Sequence, residues 1–336
     1  MCRMKPVIYG LAGLELAADE RAFFSDAEPL GFILFKRNVA DRAQLRALTD
    51  SLRDLTGRED VPILVDQEGG RVARLSPPEW PAFPAGPAFD RLYERAPMSA
   101  IQAARVNGEA LGMMLHEVGI NVNCAPILDV AGPDTTDAIT SRAYGHDPMR
   151  VAAMGRATLE GMRAAGVVGV IKHMPGHGRA MQDTHHHLPT VDAPADVLEA
   201  DLEPFRALAG AGMGMTSHIL FPAWDAERPA TLSPVIIEQV IRGLIGFDGL
   251  LMTDDIDMKA LSGTPADKAA GAIAAGCDVV LDCWARMEEM IAIAEAIPDA
   301  PPRTLERLDA AMAMREAPST ALDDAIARRD ALLALA

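Results

Sequence analysis

Apolar residues in this chain fall mostly in short unbroken runs rather than alternating with polar ones. Eight runs of strand length stand out: VIYGLAG, GFILF, PILVDQ, VNCAPILDV, VVGVIKH, GMGMTSH, GLLMTDD and CDVVLDC. Such runs are how strands read when both faces of a parallel sheet are covered. Segments of helical period separate most of them: Asp41 to Leu55, Ser99 to Val118, Asp147 to Ala165, Pro194 to Ala209, Ser233 to Leu244 and Thr264 to Ala275. The alternation predicts an α/β fold, a (β/α)8 TIM barrel, built as a single domain over residues 1–336 with a helical C-terminal tail from Pro302 onward. An open doubly wound sheet usually has fewer strands and opens on a glycine fingerprint, and no GxGxxG follows VIYGLAG. The proline-rich stretch Ser76 to Asp90 interrupts the alternation and reads as a loop on the barrel face.

Composition narrows the function classes. The chain carries 48 acidic against 31 basic residues, for a formal net charge of −17. That charge repels polyanions and argues against a nucleic-acid partner. No apolar stretch is long enough for a membrane span or a signal segment, which predicts a cytoplasmic, unanchored protein. Cys124, Cys277 and Cys283 fall in strand runs and Cys2 at the terminus, without the CxxC spacing of a metal site. They are expected to be reduced thiols, three of them in the core.

Chemistry gathers at the ends of the runs. Asp66, Asp129, Lys172, His173, His218 and Asp254 sit at the C-terminal ends of five different runs, the face where barrel enzymes keep their active sites. Taken one at a time, an aspartate there can equally be the N-cap of the next helix. The stretch KHMPGHGRAMQDTHHHLP, Lys172 to Pro189, holds five of the eight histidines. His173 and His177 have the i, i+4 spacing of a zinc pair on a helix, but Pro175 and Gly176 between them break any helix, so they need not share a face. His177 reads equally as a turn residue tied to backbone carbonyls. Asp183 and His185 form a DxH pair, in which a carboxylate can orient an imidazole that gives and takes a proton near neutral pH. Arg71 and Arg74 both have Glu68 within reach as a surface partner, and for Arg71 that pairing is expected.

Nine segments in order, GFILFKRNV, VDQEGGRVARL, NVNCAPILDV, SRAYGHDP, KHMPGHGRAMQDTH, MTSHILFPA, PATLS, GLLMTDDIDM and AAGCDVVLDC, span almost the whole chain. Through them it resembles the single-domain β-N-acetylhexosaminidases of glycoside hydrolase family 3, cytoplasmic enzymes of bacterial peptidoglycan recycling. The resemblance implies a retaining exo-β-N-acetylglucosaminidase that needs neither metal nor cofactor. Its expected partner is a small carbohydrate, an N-acetylglucosaminyl-anhydromuropeptide, with no nucleic acid and no membrane. By the same resemblance Asp254 is the nucleophile, a choice over Asp255 that the residues alone leave open. His185 is the acid/base group assisted by Asp183, and Asp66, Arg74, Arg142, Lys172 and His173 bind the sugar. The chain departs from the family at Arg179-Ala180, Met174, Asp257 and the triple histidine, which bears on loop closure and aglycone preference. A β-N-acetylglucosaminide phosphorylase using the same groups is the nearest rival, since a neutral imidazole does not repel phosphate. A non-catalytic sugar-binding barrel would lack Asp254 or the dyad.

Overall fold

The computed structural model describes residues 4–184, 186–318 and 320–336. Its strands are β1 (Lys5–Gly10), β2 (Pro29–Leu34), β3 (Ile63–Val65), β4 (Gln67–Gly69), β5 (Val72–Ala73), β6 (Val122–Asn123), β7 (Val168–Met174), β8 (Met213–Thr216), β9 (Leu250–Asp255) and β10 (Val279–Asp282). Eight of them close into a barrel in the order β1-β10-β9-β8-β7-β6-β3-β2, and each neighbouring pair is parallel. Each of the eight apolar runs supplies one barrel strand, and helices surround them, so the fold is the expected TIM barrel.

One apolar cluster draws on every barrel strand through Ile8, Ile33, Leu64, Val122, Val170, Met215, Met252 and Leu281, all buried. Leu308, Ala311 and Met312 join it from the helix Pro302–Met312, which closes the N-terminal end of the barrel. Two further clusters pack helices onto the outside of the sheet. Helix starts follow the local chemistry. Asp41 accepts the Gln44 N–H (2.9 Å) ahead of Arg42–Thr56, and Asp147 accepts the Arg150 N–H (2.8 Å) ahead of Pro148–Ala164, which has proline at its first turn. Gly57 ends the first of these helices at φ 64, a left-handed conformation that glycine adopts without a Cβ penalty.

Three local features differ from the sequence reading. The segment expected as a helix from Ser233 to Leu244 winds as a π-helix over Ile236–Ile245. The Ser76 to Asp90 loop gives way at Gly86 to a helix, Gly86–Arg95. Strands β4 and β5 form an antiparallel hairpin outside the barrel that the apolar pattern did not show, because its strands span only three and two residues. Cys124, Cys277 and Cys283 are buried free thiols, as expected, and Cys2 lies outside the described residues. No helix among the described residues is long and apolar enough to cross a membrane.

Candidate active site at the C-terminal rim

The β4–β5 hairpin builds the first half of the site. Its turn needs glycine twice: Gly69 and Gly70 sit at φ 110 and 58, and a Cβ on Gly69 would lie 2.3 Å from the Pro84 carbonyl oxygen. Folding back there brings Arg74 onto Asp66, with Nη2 3.1 Å from Oδ2, while Lys172 at the end of β7 places Nζ 3.1 Å from Asp66 Oδ1 and 2.8 Å from Glu68 Oε1. Arg142 grips Glu68 through two bonds, Nε to Oε2 at 2.7 Å and Nη2 to Oε1 at 2.6 Å. Burial alone would raise the two carboxyls, but Lys172 and Arg74 outweigh it at Asp66, and Arg142 and Lys172 at Glu68, so both lie below their usual range. Burial alone would lower Lys172, but Glu68 and Asp66 hold it firmly protonated. Three cations thus face two carboxylates, which leaves a donor-rich surface suited to hydroxyl and carbonyl oxygens.

Four of the predicted sugar-binding residues therefore converge: Asp66, Arg74, Arg142 and Lys172. The sequence reading undervalued their hub, Glu68, and misassigned Arg71. Arg71 does not reach Glu68. It donates to Ser141 Oγ and the Ala138 carbonyl, both at 2.9 Å. The arginine that does neutralise Glu68 arrives from 74 residues away, which no local pattern announces.

His173 follows Lys172 on β7. The peptide joining it to Lys172 is cis. It donates from Nδ1 to Asp129 Oδ2 at 2.7 Å, and Asp129 Oδ1 accepts the His173 and His177 backbone N–H groups at 3.2 and 2.7 Å. Asp129 is fully buried, yet His173 and His177 outweigh that burial and keep it below the usual carboxyl range. Here the turn through Pro175 and Gly176 does bring two histidines together, edge to face with ring centres 5.5 Å apart, because both are anchored on one aspartate. The Nδ1 of His177 has no partner among the described residues and its Nε2 lies 3.4 Å from Thr184 Oγ1. Burial, then His173, push it down to about 4, so it is neutral near pH 7.

Asp254 and Asp255 end β9 and face opposite ways, as successive strand residues must. Asp254 is partly exposed and accepts the Asp255 N–H at 2.8 Å. Burial would raise its carboxyl, but His173, His218, that N–H and Lys172 outweigh it and hold it below the usual range. Asp255 turns to the other side, where Oδ1 accepts the Asp257 N–H (3.2 Å) and Oδ2 the Trp284 indole N–H (2.9 Å). His218, fully buried after β8, donates from Nε2 to the Asp255 carbonyl at 3.0 Å and so fixes the end of β9 from below.

The histidine loop leaves β7 over a close contact. A Cβ on Gly178 would lie 1.8 Å from the Val130 carbonyl oxygen, so only glycine lets the two segments meet. Thr135 Oγ1 donates to the Gly178 carbonyl, the Thr136 N–H reaches Ala180 O at 3.2 Å, and Arg179 donates from Nε to Asp201 Oδ2 at 2.5 Å. Beyond these ties the chain reaches Asp183, whose carbonyl accepts the His186 and His187 N–H groups at 3.0 and 3.1 Å. His185 itself lies outside the described residues. Among the described residues no group of three or more His, Cys, Asp or Glu is placed to hold a metal ion.

The family pattern described as the glycosyl hydrolase family 3 N terminal domain matches residues 8–325. A β-hexosaminidase of Xylella fastidiosa is 39% identical over 286 residues, covering 82% of this chain and 83% of that one. Among solved structures, NagZ of Neisseria gonorrhoeae in complex with N-trifluoroacetyl-D-glucosamine superimposes with a TM-score of 0.88 at 29% identity, over 99% of this chain and 98% of that one. A family 3 β-N-acetylglucosaminidase from Paenibacillus gives a TM-score of 0.87 at 31% identity, over 97% of this chain and 66% of that longer one. With a partly exposed carboxylate at the rim of a TIM barrel and a family match over nearly all of its length, the chain belongs to glycosyl hydrolase family 3 and is a glycoside hydrolase similar to that family's β-hexosaminidases.

Proposed function

We propose that this hydrolase is a retaining exo-β-N-acetylglucosaminidase in which Asp254 attacks the anomeric carbon to form a covalent glycosyl-enzyme. The observation that carries the reading is the state of Asp254: it is ionised, reachable from solvent, oriented by the Asp255 N–H, and set beside a cluster of sugar-competent donors. Asp66, Arg74, Arg142 and Lys172 bind the hydroxyls and acetamido group of a terminal N-acetylglucosamine, with His173 closing the pocket from β7. The Neisseria relative's N-trifluoroacetyl-D-glucosamine, a sugar with an acylamino group at C2, supports this ligand class. His185, assisted by Asp183, protonates the departing oxygen as imidazolium and then, as neutral imidazole, deprotonates the incoming water. The substrate is an N-acetylglucosaminyl-anhydromuropeptide from peptidoglycan, cleaved in the cytoplasm by a single-domain enzyme, a setting that agrees with three buried reduced thiols.

A panel of chromogenic β-glycosides differing at C2 tests the specificity. The N-acetylglucosaminide should be cleaved at least about 10²-fold faster than the glucoside, because buried donors built for the acetamido group stay unpaired without it. Equal rates would overturn the reading. A 2-substituted fluorosugar should label Asp254, and Asp254→Ala should abolish both labelling and turnover. Label recovered on Asp255 would move the nucleophile by one residue.

A further inference from the structure

Trp284 stands at the start of the β10 loop and is 54% exposed, whereas Trp80 is 2% exposed in the core. An exposed indole is costly in hydrophobic area and is normally free to rotate. This one is not free. Its Nε1–H donates to Asp255 Oδ2 at 2.9 Å, and the Arg286 guanidinium lies over its ring, 6.0 Å from the centroid, while pairing with Asp257 at 2.7 Å. The next residue, Ala285, is held at φ 57, a left-handed conformation uncommon for a residue with a Cβ. The loop is therefore folded so that a large aromatic surface stays in solvent in one fixed orientation.

Its position relative to the reaction follows from the strand order. The proposed sugar-binding groups lie just after β3, just after the β4–β5 hairpin, in the loop after β6 and on β7, with Asp129 also beyond β6, and in the closed barrel β10 is diametrically opposite β6. Strand β9, carrying Asp254, adjoins β10. Asp254 thus stands between the donor cluster on one side and Trp284 on the other, and the adjacent Asp255 is the residue that holds the indole. A sugar anchored by the cluster with its anomeric carbon over Asp254 sends its leaving group toward Trp284.

Resting on the reading of the reaction given above, we propose that Trp284 is the platform of a leaving-group subsite that takes a pyranose ring. The axial C–H bonds on one face of a pyranose carry partial positive charge and fit the negative face of the indole. The Asp255 carboxylate and Arg286 beside it supply partners of both signs for that ring's hydroxyls. The contact binds only the part of the substrate that departs, so it acts on glycosylation and not on hydrolysis of the glycosyl-enzyme.

The test compares two substrates sharing one glycone: an N-acetylglucosaminyl-β-1,4-linked disaccharide and N-acetylglucosaminyl fluoride. In Trp284→Ala the ratio of their kcat/KM values should fall by about tenfold or more, since one well-packed apolar contact discriminates by about that much. Trp284→Phe, which keeps an aromatic face but not the bond to Asp255, should recover part of the ratio. The exposed position makes a folding failure of either variant easy to recognise by its melting temperature. A ratio unmoved in Trp284→Ala, with both substrates cleaved, overturns the subsite alone. An equal loss on both substrates would place the indole against the glycone and also overturns it. A wild-type protein that cleaves neither substrate overturns the reaction and the subsite together.

Discussion

At the end of β10, one strand away from Asp254, Asp282 is 1% exposed and its Oδ2 has no partner among the described residues. Burial, and then the charge of Asp255, push its carboxyl up to about 7, while Asp255 is itself pushed by burial to about 6. Around Asp282 stand Asp255 from β9, Tyr9 from β1, Arg37 from the loop after β2, and Arg286 and Glu289 beyond β10. A carboxyl raised in the folded state binds its proton more tightly there than in the unfolded chain. Its contribution is therefore present at low pH, is lost as pH rises from about 4 through about 7, and becomes a standing cost above that. Asp282→Asn keeps the shape and removes the charge. It should raise the unfolding free energy at pH 8 by an amount on the order of a few kcal/mol, given roughly 1.4 kcal/mol per pKa unit, seen as a higher melting temperature, and change it little at pH 4. A variant no more stable than the parent at pH 8 would mean the carboxylate is adequately solvated. Asp282 and Trp284 escaped the sequence reading, and Glu68 was read only as a surface partner, for one reason: each owes its chemistry to a neighbour distant in the chain, whereas Asp66, Lys172 and Asp254 announced themselves by ending an apolar run.

Elements were legible where local chemistry decides them. The eight strand runs and the capped helices after Asp41, Asp147 and Thr264 follow from apolar pattern, cap residue and first-turn proline. Less legible were lengths and winding. The run VNCAPILDV yields only Val122–Asn123 as regular strand, because Pro126 has no N–H to give the ladder and the chain rejoins it by a single bridge from Ile127 to Lys172. The histidine loop shows the same division: its DxH pair was visible, its anchoring was not. Arg179, one of the positions where the chain departs from the family it resembles, ties the loop to Asp201 and to the Val197 carbonyl (3.2 Å) on the helix Ala195–Ala207. Arg179→Ala should loosen the segment that carries Asp183 and His185. Cleavage of a substrate with a sugar leaving group should then slow by about tenfold or more, because a small misplacement of an acid/base group is expensive, while a dinitrophenyl glycoside, which departs without protonation, is spared. Equal effects on both substrates would mean that the tether serves the fold and not the proton transfer.

At the scale of the whole molecule, two ion-pair networks lie at opposite ends of the barrel, and the two should respond differently to mutation. At the C-terminal rim Glu68 is shared by Arg142 and Lys172 beside Asp254. At the N-terminal end Asp278, at the start of β10, accepts the Leu251 N–H (2.9 Å) and Arg242 Nη2 (2.7 Å) on one oxygen, and Arg307 Nη1 (2.8 Å) and Thr304 Oγ1 (3.2 Å) on the other. Those partners come from β9, the π-helix and the closing helix Pro302–Met312, so Asp278 fastens the lower end of the barrel to two outer elements. In a TIM barrel the C-terminal face carries chemistry and the opposite face carries stability. Asp278→Ala takes an acceptor from two partly buried guanidinium groups, each of which keeps another partner, and from the buried Leu251 N–H; it should cost about 2–3 kcal/mol in urea unfolding, while kcat/KM per folded molecule stays within about twofold of the parent. Glu68→Gln keeps volume and one acceptor but leaves Arg142 and Lys172 competing for it, so they turn toward each other's space and away from the sugar. Activity should fall by about tenfold or more, the value of one charge-assisted bond, in a protein that still unfolds cooperatively. Kinetics and urea midpoints measured on the same two preparations decide the matter. If Asp278→Ala loses activity in proportion to stability, or Glu68→Gln keeps full activity, the rim network is a structural clamp like the lower one and the sugar is held elsewhere.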